Sequence, residues 1–394
     1  MAAFLAASAI GFFGMGTTFS SLGVVSYAMG QILHWSDTAI GSAYMALCLS
    51  CCFSAMLPVV TIPRMGARWT IAGGGGLLVA GFALAAVASN LALFLVACCL
   101  FGVAFSLLAN SSCVYLIAGW YGARAPRMIG LYLMISALGG AAGPPAAQAL
   151  ISGGGWRLYW QMMTAIGLAL SAACAWLISE PPSPPVEPDG QQDGWNMREV
   201  MFTPQFLVLA GSMVATQLCV TTVSGVTPPH MVGLGGTADF AAAMLGLQAL
   251  IGTVATGASG WLSERMDARR MQAVGLLAEA LGMGLLAYGK IGWPSYAFAL
   301  LFGIGWAVAC LTVTVLLVRY FGNKRGTAAL SAIWMLCGVA AFGPSLAGYV
   351  ADQGHGFGPV LAAMGAVLVP LAFASLVMRA PGSHVAEAGK YVLS

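Results

Sequence analysis

Glu279 stands where charge is most expensive, in the middle of the apolar stretch 271–289. An ionisable side chain at membrane depth is a functional candidate by default, because burying its charge costs several kcal/mol. Two roles fit it: a desolvated carboxylate that takes up and releases a coupling proton, or a structural glutamate held by hydrogen bonds. Three amides, Asn110, Gln217 and Gln248, sit inside other apolar stretches. An amide in lipid needs a partner, which another helix, water or a solute must supply. Hydroxyls occur at similar depth at Thr17, Thr18, Tyr44, Tyr115, Thr221 and Ser331, and the indoles Trp306 and Trp334 could wall a pocket. Bond-making chemistry finds no such support. No nucleophile is spaced with a base. The ten cysteines lie in apolar segments without histidine partners, so neither a zinc site nor disulfides are expected. Gly73–Gly76 has no following Lys and is no phosphate loop. These residues suit recognition of a small molecule, with no enzyme activity, cofactor, metal or nucleic-acid partner expected.

The elements that position these residues must live in lipid. Only 7% of the 394 residues are charged and 60% are hydrophobic, against about 25% charged in a soluble domain. A spanning helix needs roughly 20 apolar residues. Division at charges and turn residues gives twelve spans: 4–29, 38–60, 69–88, 91–118, 128–151, 158–179, 205–228, 240–262, 271–289, 294–318, 327–351 and 357–378, with Ser89-Asn90 as the break between the third and fourth. A β-barrel would need strands of alternating polarity, and these runs are apolar all round. The first span has no basic residue ahead of it and reads as a retained helix, not a secretory signal.

Loop charges orient the spans, since basic residues favour the cytoplasmic side. Arg64, Arg68, Arg124, Arg127, Arg198, Arg265, Arg269, Arg270, Arg319, Lys324, Arg325, Arg379 and Lys390 fall on one side, and Arg157 and Lys290 on the other, thirteen against two of the 15 in the chain. Both termini are therefore expected in the cytoplasm, with a bacterial inner (plasma) membrane as the setting. His34, His230 and His355 are expected in outer loops.

A proline-rich, acidic segment interrupts the pattern. Residues 180–200 hold Pro181, Pro182, Pro184, Pro185 and Pro188 with Glu187, Asp189 and Asp193, which reads as a stiff linker. It divides the chain into 1–179, a six-helix bundle, and 201–394, a second six-helix bundle with a short cytoplasmic tail. The halves repeat. Gly143-Pro144 recurs as Gly343-Pro344, Trp120-Tyr121-Gly122 as Tyr320-Phe321-Gly322, and Arg64 to Arg68 as Arg265 to Arg269. Internal repeats of this kind are common in transporters, with the substrate site near the midplane between them.

The segment from Gly260 to Arg269, the glycine–proline run Gly139-Gly140-Ala141-Ala142-Gly143-Pro144, and Trp120-Tyr121 followed by Arg124 and Arg127 together resemble the major facilitator superfamily over the whole chain. His34-Trp35-Ser36, Pro58 and Gly155-Trp156-Arg157 resemble its monocarboxylate and oxalate/formate porter branch. Two positions depart from the pattern. Pro63 stands where an acidic residue usually precedes Arg64, so the first loop lacks its expected carboxylate. Span 8 carries Gln248 where that branch places an Arg, so anion binding does not carry over.

The resemblance implies an all-α membrane protein of two pseudo-symmetric six-helix bundles around a central cavity lined by spans 1, 2, 4, 5, 7, 8, 10 and 11. The expected substrate contacts are Thr17, Tyr44, Asn110, Tyr115, Gln217, Thr221, Gln248, Trp306, Ser331 and Trp334. Arg64, Arg68, Glu264, Arg265, Asp267 and Arg269 are expected to gate the cytoplasmic side. Gly139, Gly143, Pro144, Gly343 and Pro344 are expected as hinges or close-packing points, and Glu279 as the candidate for proton coupling. The implied function is secondary transport of a small organic solute, monocarboxylate-like or another small metabolite, by a monomer in the bilayer. A drug or metabolite exporter of the same fold is the alternative. A membrane sensor acting through a protein partner is a third class, which the short loops disfavour.

Overall fold

The computed structural model describes residues 2–108, 111–180, 197–263 and 265–379. The described chain is helical almost throughout. Apolar residues surround most helices on all sides, as helices embedded in lipid and in one another require.

Helix α1 comprises Ala2–Met15 and Leu22–Leu33, joined by a π-helical turn at Gly16–Ser20. Helix α2 is Asp37–Ser54, and α3 is Leu57–Ala86 with a kink at Gly66. Helix α4 comprises Leu91–Leu108 and Ser111–Tyr121. Helices α5 and α6 form one run, Ala125–Leu177, broken at Gly155, so that α5 covers 125–154 and α6 covers 156–177. Then follow α7 (Pro204–Gly233), α8 (Ala238–Leu262) and α9 (Ala268–Tyr288). Helix α10 is Trp293–Gly322 and α11 is Arg325–His355. Helix α11 passes through a 3₁₀ turn at Cys337–Phe342 and ends in a π turn at Ala351–His355. Helix α12 is Gly358–Val377.

The twelve expected spans are all recognisable, with shifted ends. The second stops at Ser54, short of residue 60, and the chain from Leu57 already belongs to α3. Three expected loops are kinks within continuous helical runs. Gly66, Gly155 and Gly322 take φ of 83°, 77° and 79° there, a region that costs other residues a steric penalty. Elsewhere side-chain caps start the helices. Ser36 accepts from Ala39 N–H at 3.2 Å, Asn90 from Leu93 at 2.9 Å and Thr237 from Phe240 at 3.1 Å. Asn90 thus makes the break expected between spans 3 and 4.

The buried residues form separate cores. One cluster draws on residues 4–178 plus Ala341. Two others draw on 200–378 plus Val24. The segments before and after the linker therefore fill their own interiors and meet along a seam.

Candidate functional site

Three helix pairs bring backbones close across the seam. In α1 and α7, Gly23 lies against the Ser224 carbonyl; in α2 and α11, Gly41 lies against that of Pro344. In α8 and α5, a Cβ on Gly246 would sit 2.6 Å from the Ala141 carbonyl oxygen and 2.9 Å from Pro145. Glycine at these positions lets backbones touch. All three contacts lie toward the end of the bundle that carries residues 34–37 and 351–357, the outer face by the arginine count. At the opposite, arginine-rich face, Phe53, Met56, Met335 and Val339 are exposed. The hydrogen bonds of Arg68, Arg269 and Arg319 each stay within one half there, to Ala175, Met378 and Ser263. The structure is closed at the end that carries residues 34–37 and 351–357.

The expected substrate contacts separate into two sets. In the second half, α8 and α10 pack so tightly that a Cβ on Gly252 would meet the Trp306 ring at 2.8 Å, and one on Gly303 would meet the Gln248 carbonyl at 2.6 Å. Gln248 is buried and its Oε1 has no hydrogen-bond partner. Trp306 Nε1 is also buried and finds no oxygen acceptor, with the weakly accepting Cys310 sulfur beside it one turn on. Gln217 of α7 reaches that same sulfur, Sγ to Oε1 3.9 Å. Thr221, one turn further, donates to the Ala340 carbonyl at 2.8 Å, within the 3₁₀ turn of α11. Gln217 and Trp306 thus meet at Cys310, with Gln248 on the facing stretch of α8 and Thr221 one turn on along α7.

The other expected contacts are spent on structure or stand apart. Thr17 lies buried in the π turn of α1 and donates to Phe13 O at 2.7 Å. Tyr44 is buried in α2, and its hydroxyl donates to the Phe19 carbonyl of α1. Tyr115 packs partly buried against the first core. Ser331 and Trp334 are exposed on α11, and Ser331 donates to Thr327 O at 3.2 Å. Asn110 and Glu264 lie outside the described residues.

Glu279 is fully buried on α9, away from the seam. Its Oε2 accepts from the Thr216 hydroxyl of α7 at 2.9 Å, while Oε1 has no partner. Gln272, two turns earlier on the same helix, accepts from the Thr312 hydroxyl of α10, and its Nε2 is unpartnered. His230 is not in an outer loop, as expected from sequence. Helix α7 continues through Pro228 and Pro229 and buries it, with Nε2 2.7 Å from the Leu286 carbonyl.

The expected gating residues form a clamp in each half. Asp267 caps α9 through Arg269 N–H at 3.0 Å and pairs with the Arg269 guanidinium at 2.8 Å. Arg269 also donates to Met378 O at the end of α12, at 2.9 Å. In the first half Arg68 donates to Ala175 O, near the end of α6, at 2.6 Å. The carboxylate missing at Pro63 is supplied from elsewhere: Glu180 accepts from the backbone N–H of Ala67 at 3.1 Å and of Arg68 at 2.8 Å. Arg265 stacks over Trp261 at 4.0 Å, and Arg64 is exposed. The hydrogen bonds from Arg269 hold the Asp267 carboxyl below the usual carboxylate range.

The expected packing points sit at close approaches. Gly139 meets the Phe12 carbonyl and Gly143 that of Gly16, both between α1 and α5. Gly343 meets Thr222 of α7, and Pro344 lies in the seam against Gly41 and Gly225, while Pro144 is buried in α5.

The family model described as Major Facilitator Superfamily matches residues 7–344. No curated protein sequence matches the chain. The fold is similar to that of the nucleoside transporter NupG in a variant form, with a TM-score of 0.76 at 14% identity over 95% of this chain and 99% of that one. It is similar to a bacterial homolog of the human lysosomal transporter Spinster in an inward-facing, occupied conformation, with a TM-score of 0.77 at 15% identity over 95% of both chains. A D-xylose–proton symporter gives 0.76 at 15% identity, covering 97% of this chain and 98% of that one.

Proposed function

The chain belongs to the major facilitator superfamily, and from that premise we propose that it carries a small organic solute bound between α7, α8 and α10 by alternating access. Membership makes it a multi-pass membrane transporter, not an enzyme. The observation that supports the site is a pair of buried polar atoms, Gln248 Oε1 without a partner and Trp306 Nε1 with only the weakly accepting Cys310 sulfur. A buried donor or acceptor left bare costs about 1–3 kcal/mol. A solute offering one donor and one acceptor would satisfy both, with Gln217 and Thr221 beside it. These groups are uncharged, which suits a neutral or zwitterionic solute with an apolar body. A monocarboxylate-like solute would have to be held by amides and hydroxyls, without a cation from Gln248's position.

Glu279 is the candidate for a coupling proton, since it has one free carboxyl oxygen and a hydroxyl partner on α7. The arginine count favours an inner (plasma) membrane setting with both termini cytoplasmic.

The test is uptake into proteoliposomes, guided by a thermal-stabilisation screen of small neutral, zwitterionic and monocarboxylate solutes. A stabilising solute should be transported, and Gln248→Ala should cut its uptake about tenfold or more while the protein still folds. Full uptake in Gln248→Ala and in Trp306→Phe would sink the site. Resistance to many unrelated toxic compounds, without uptake of any single solute, would favour the exporter reading.

A further inference from the structure

The outer end of the seam holds a contact that neither half makes alone. Asp352 lies in the π turn that ends α11, a local geometry that re-aims side chains and recurs at functional positions. Its carboxylate crosses to the start of α2 in the other half. Oδ1 accepts from Asp37 N–H at 2.9 Å, and Oδ2 accepts from Thr38 N–H at 2.9 Å and from the Thr38 hydroxyl at 2.5 Å. The first backbone donors of a helix have no partner within it, and they form the positive end of its dipole. Ser36 satisfies one of these donors from within its own half, at Ala39. Asp352 satisfies two more from the opposite half. One turn back on α11, Gly348 seats against the Asp37 carbonyl, where any Cβ would collide. Shape and charge thus fix the same register of α11 against α2.

We propose that Asp352 is the latch of the outer gate, a positioning residue that holds the outer face shut by capping α2 across the seam. The proposal rests on the alternating-access reading. Opening the outer face requires α2 to leave α11, which breaks all three bonds together. Asp352 is exposed and Asp37 and Thr38 are only partly buried, so water takes over the freed donors and the carboxylate. That keeps the latch reversible, whereas a fully buried ion pair would hold too strongly. Helix α2 begins at the latch and carries Tyr44, which bonds Phe19 within the π turn of α1. The release of Asp352 therefore frees the helix that braces the irregular turn of α1.

The experiment uses the full chain in lipid nanodiscs, with the exposed Cys52 and Cys99 replaced by serine. Spin labels are placed at Gln31 and Gln353, exposed positions on opposite halves of the outer face. The wild type should show mainly the short distance. Asp352→Ala should lower the short-to-long ratio by about tenfold or more, given three lost bonds to a charged acceptor. Asp352→Asn keeps an acceptor oxygen and should fall between. A Thr38→Cys, Asp352→Cys pair, once oxidised, should stop transport, and reductant should restore it. An unchanged distance ratio in Asp352→Ala, or full transport by the cross-linked pair, overturns the latch. If Asp352→Ala fails to fold, Asp352→Asn and Thr38→Val decide by the same ratio. Wild-type labels that hold one distance under every solute and pH condition would overturn the alternating-access reading itself, and the latch with it.

Discussion

The two halves share a topology and a repeated sequence, yet they fill their interiors differently. The first half is stacked with aromatic rings. Trp160 is fully buried, stacks on Phe82 at 5.7 Å and on Phe101 at 5.4 Å, meets Tyr159 edge-on at 4.9 Å, and directs its indole N–H to Met29 sulfur at 3.4 Å. The second half buries a carboxyl, two amides and an indole, and each keeps an atom without an oxygen or nitrogen partner: Glu279 Oε1, Gln272 Nε2, Gln248 Oε1 and Trp306 Nε1. Among the described residues of the first half, the bare groups are serine hydroxyls such as Ser8, Ser112 and Ser171, single rotors with modest demands. Among those residues, the first half leaves only single hydroxyls bare. The second half has amide, indole and carboxyl groups with bonding capacity left over, as the proposed recognition of a solute and a proton requires.

The sharpest way to break this comparison is to empty the aromatic core. Trp160→Ala removes a ring touched on several sides and should destabilise by on the order of 3 kcal/mol, through lost packing contacts more than hydrophobic transfer, because lipid tails are apolar too. Trp176 is 81% exposed, and Trp176→Ala should change little. Melting in detergent checks both. Equal losses would mean that the first half is no better packed than its lipid-facing surface.

The next test asks whether the free capacity of the second half is used. Glu279→Gln keeps an acceptor for Thr216 and removes the exchangeable proton. It should melt within a few degrees of the wild type but lose the pH dependence of solute uptake. Glu279→Ala leaves the Thr216 hydroxyl bare and opens a gap, and should cost about 1–3 kcal/mol in addition. Unchanged pH dependence in Glu279→Gln would make the carboxyl structural, like the saturated groups of the first half.

Much of this was legible from sequence because lipid leaves few choices. Continuous apolar length marked each span, and Asn90 marked a helix start by its chemistry. Kinks were harder, since Gly66, Gly155 and Gly322 turn the chain without ending its helical hydrogen bonding. His230 looked like a loop residue because Pro228 and Pro229 precede it, yet the helix absorbs both prolines. The seam could not be read at all. Gly23, Gly41, Gly246 and Gly348 are four among 52 glycines, and only the approach of the opposite half sets each apart. Gln248 was legible as a polar residue at depth, but its lack of a partner is a property of three helices together. The cross-seam role of Asp352 carried no local signal, because its bonds span more than 300 residues of chain.

The loops give the finest version of the comparison. Both halves clamp an arginine onto the closing end of their last helix, Arg68 on Ala175 and Arg269 on Met378. The acidic partner differs: the second half supplies it locally with Asp267, while the first borrows Glu180 from just beyond α6. Asp267 caps the helix that it begins, whereas Glu180 reaches back from beyond the end of α6 to the kink of α3. Glu180→Ala should therefore cost about 1 kcal/mol or less, read as a small drop in melting temperature in detergent. The pH response should separate them. The carboxyl of Asp267 is held below its ordinary range by Arg269, so its contribution is complete at neutral pH and disappears as pH falls through that lowered value. Wild type and Asp267→Asn should differ in melting temperature by about 1 °C at pH 7 and converge in strong acid. A difference that grew on acidification would mean that Asp267 stabilises the loop through its protonated form, and the clamp would then have to be redrawn without its ion pair.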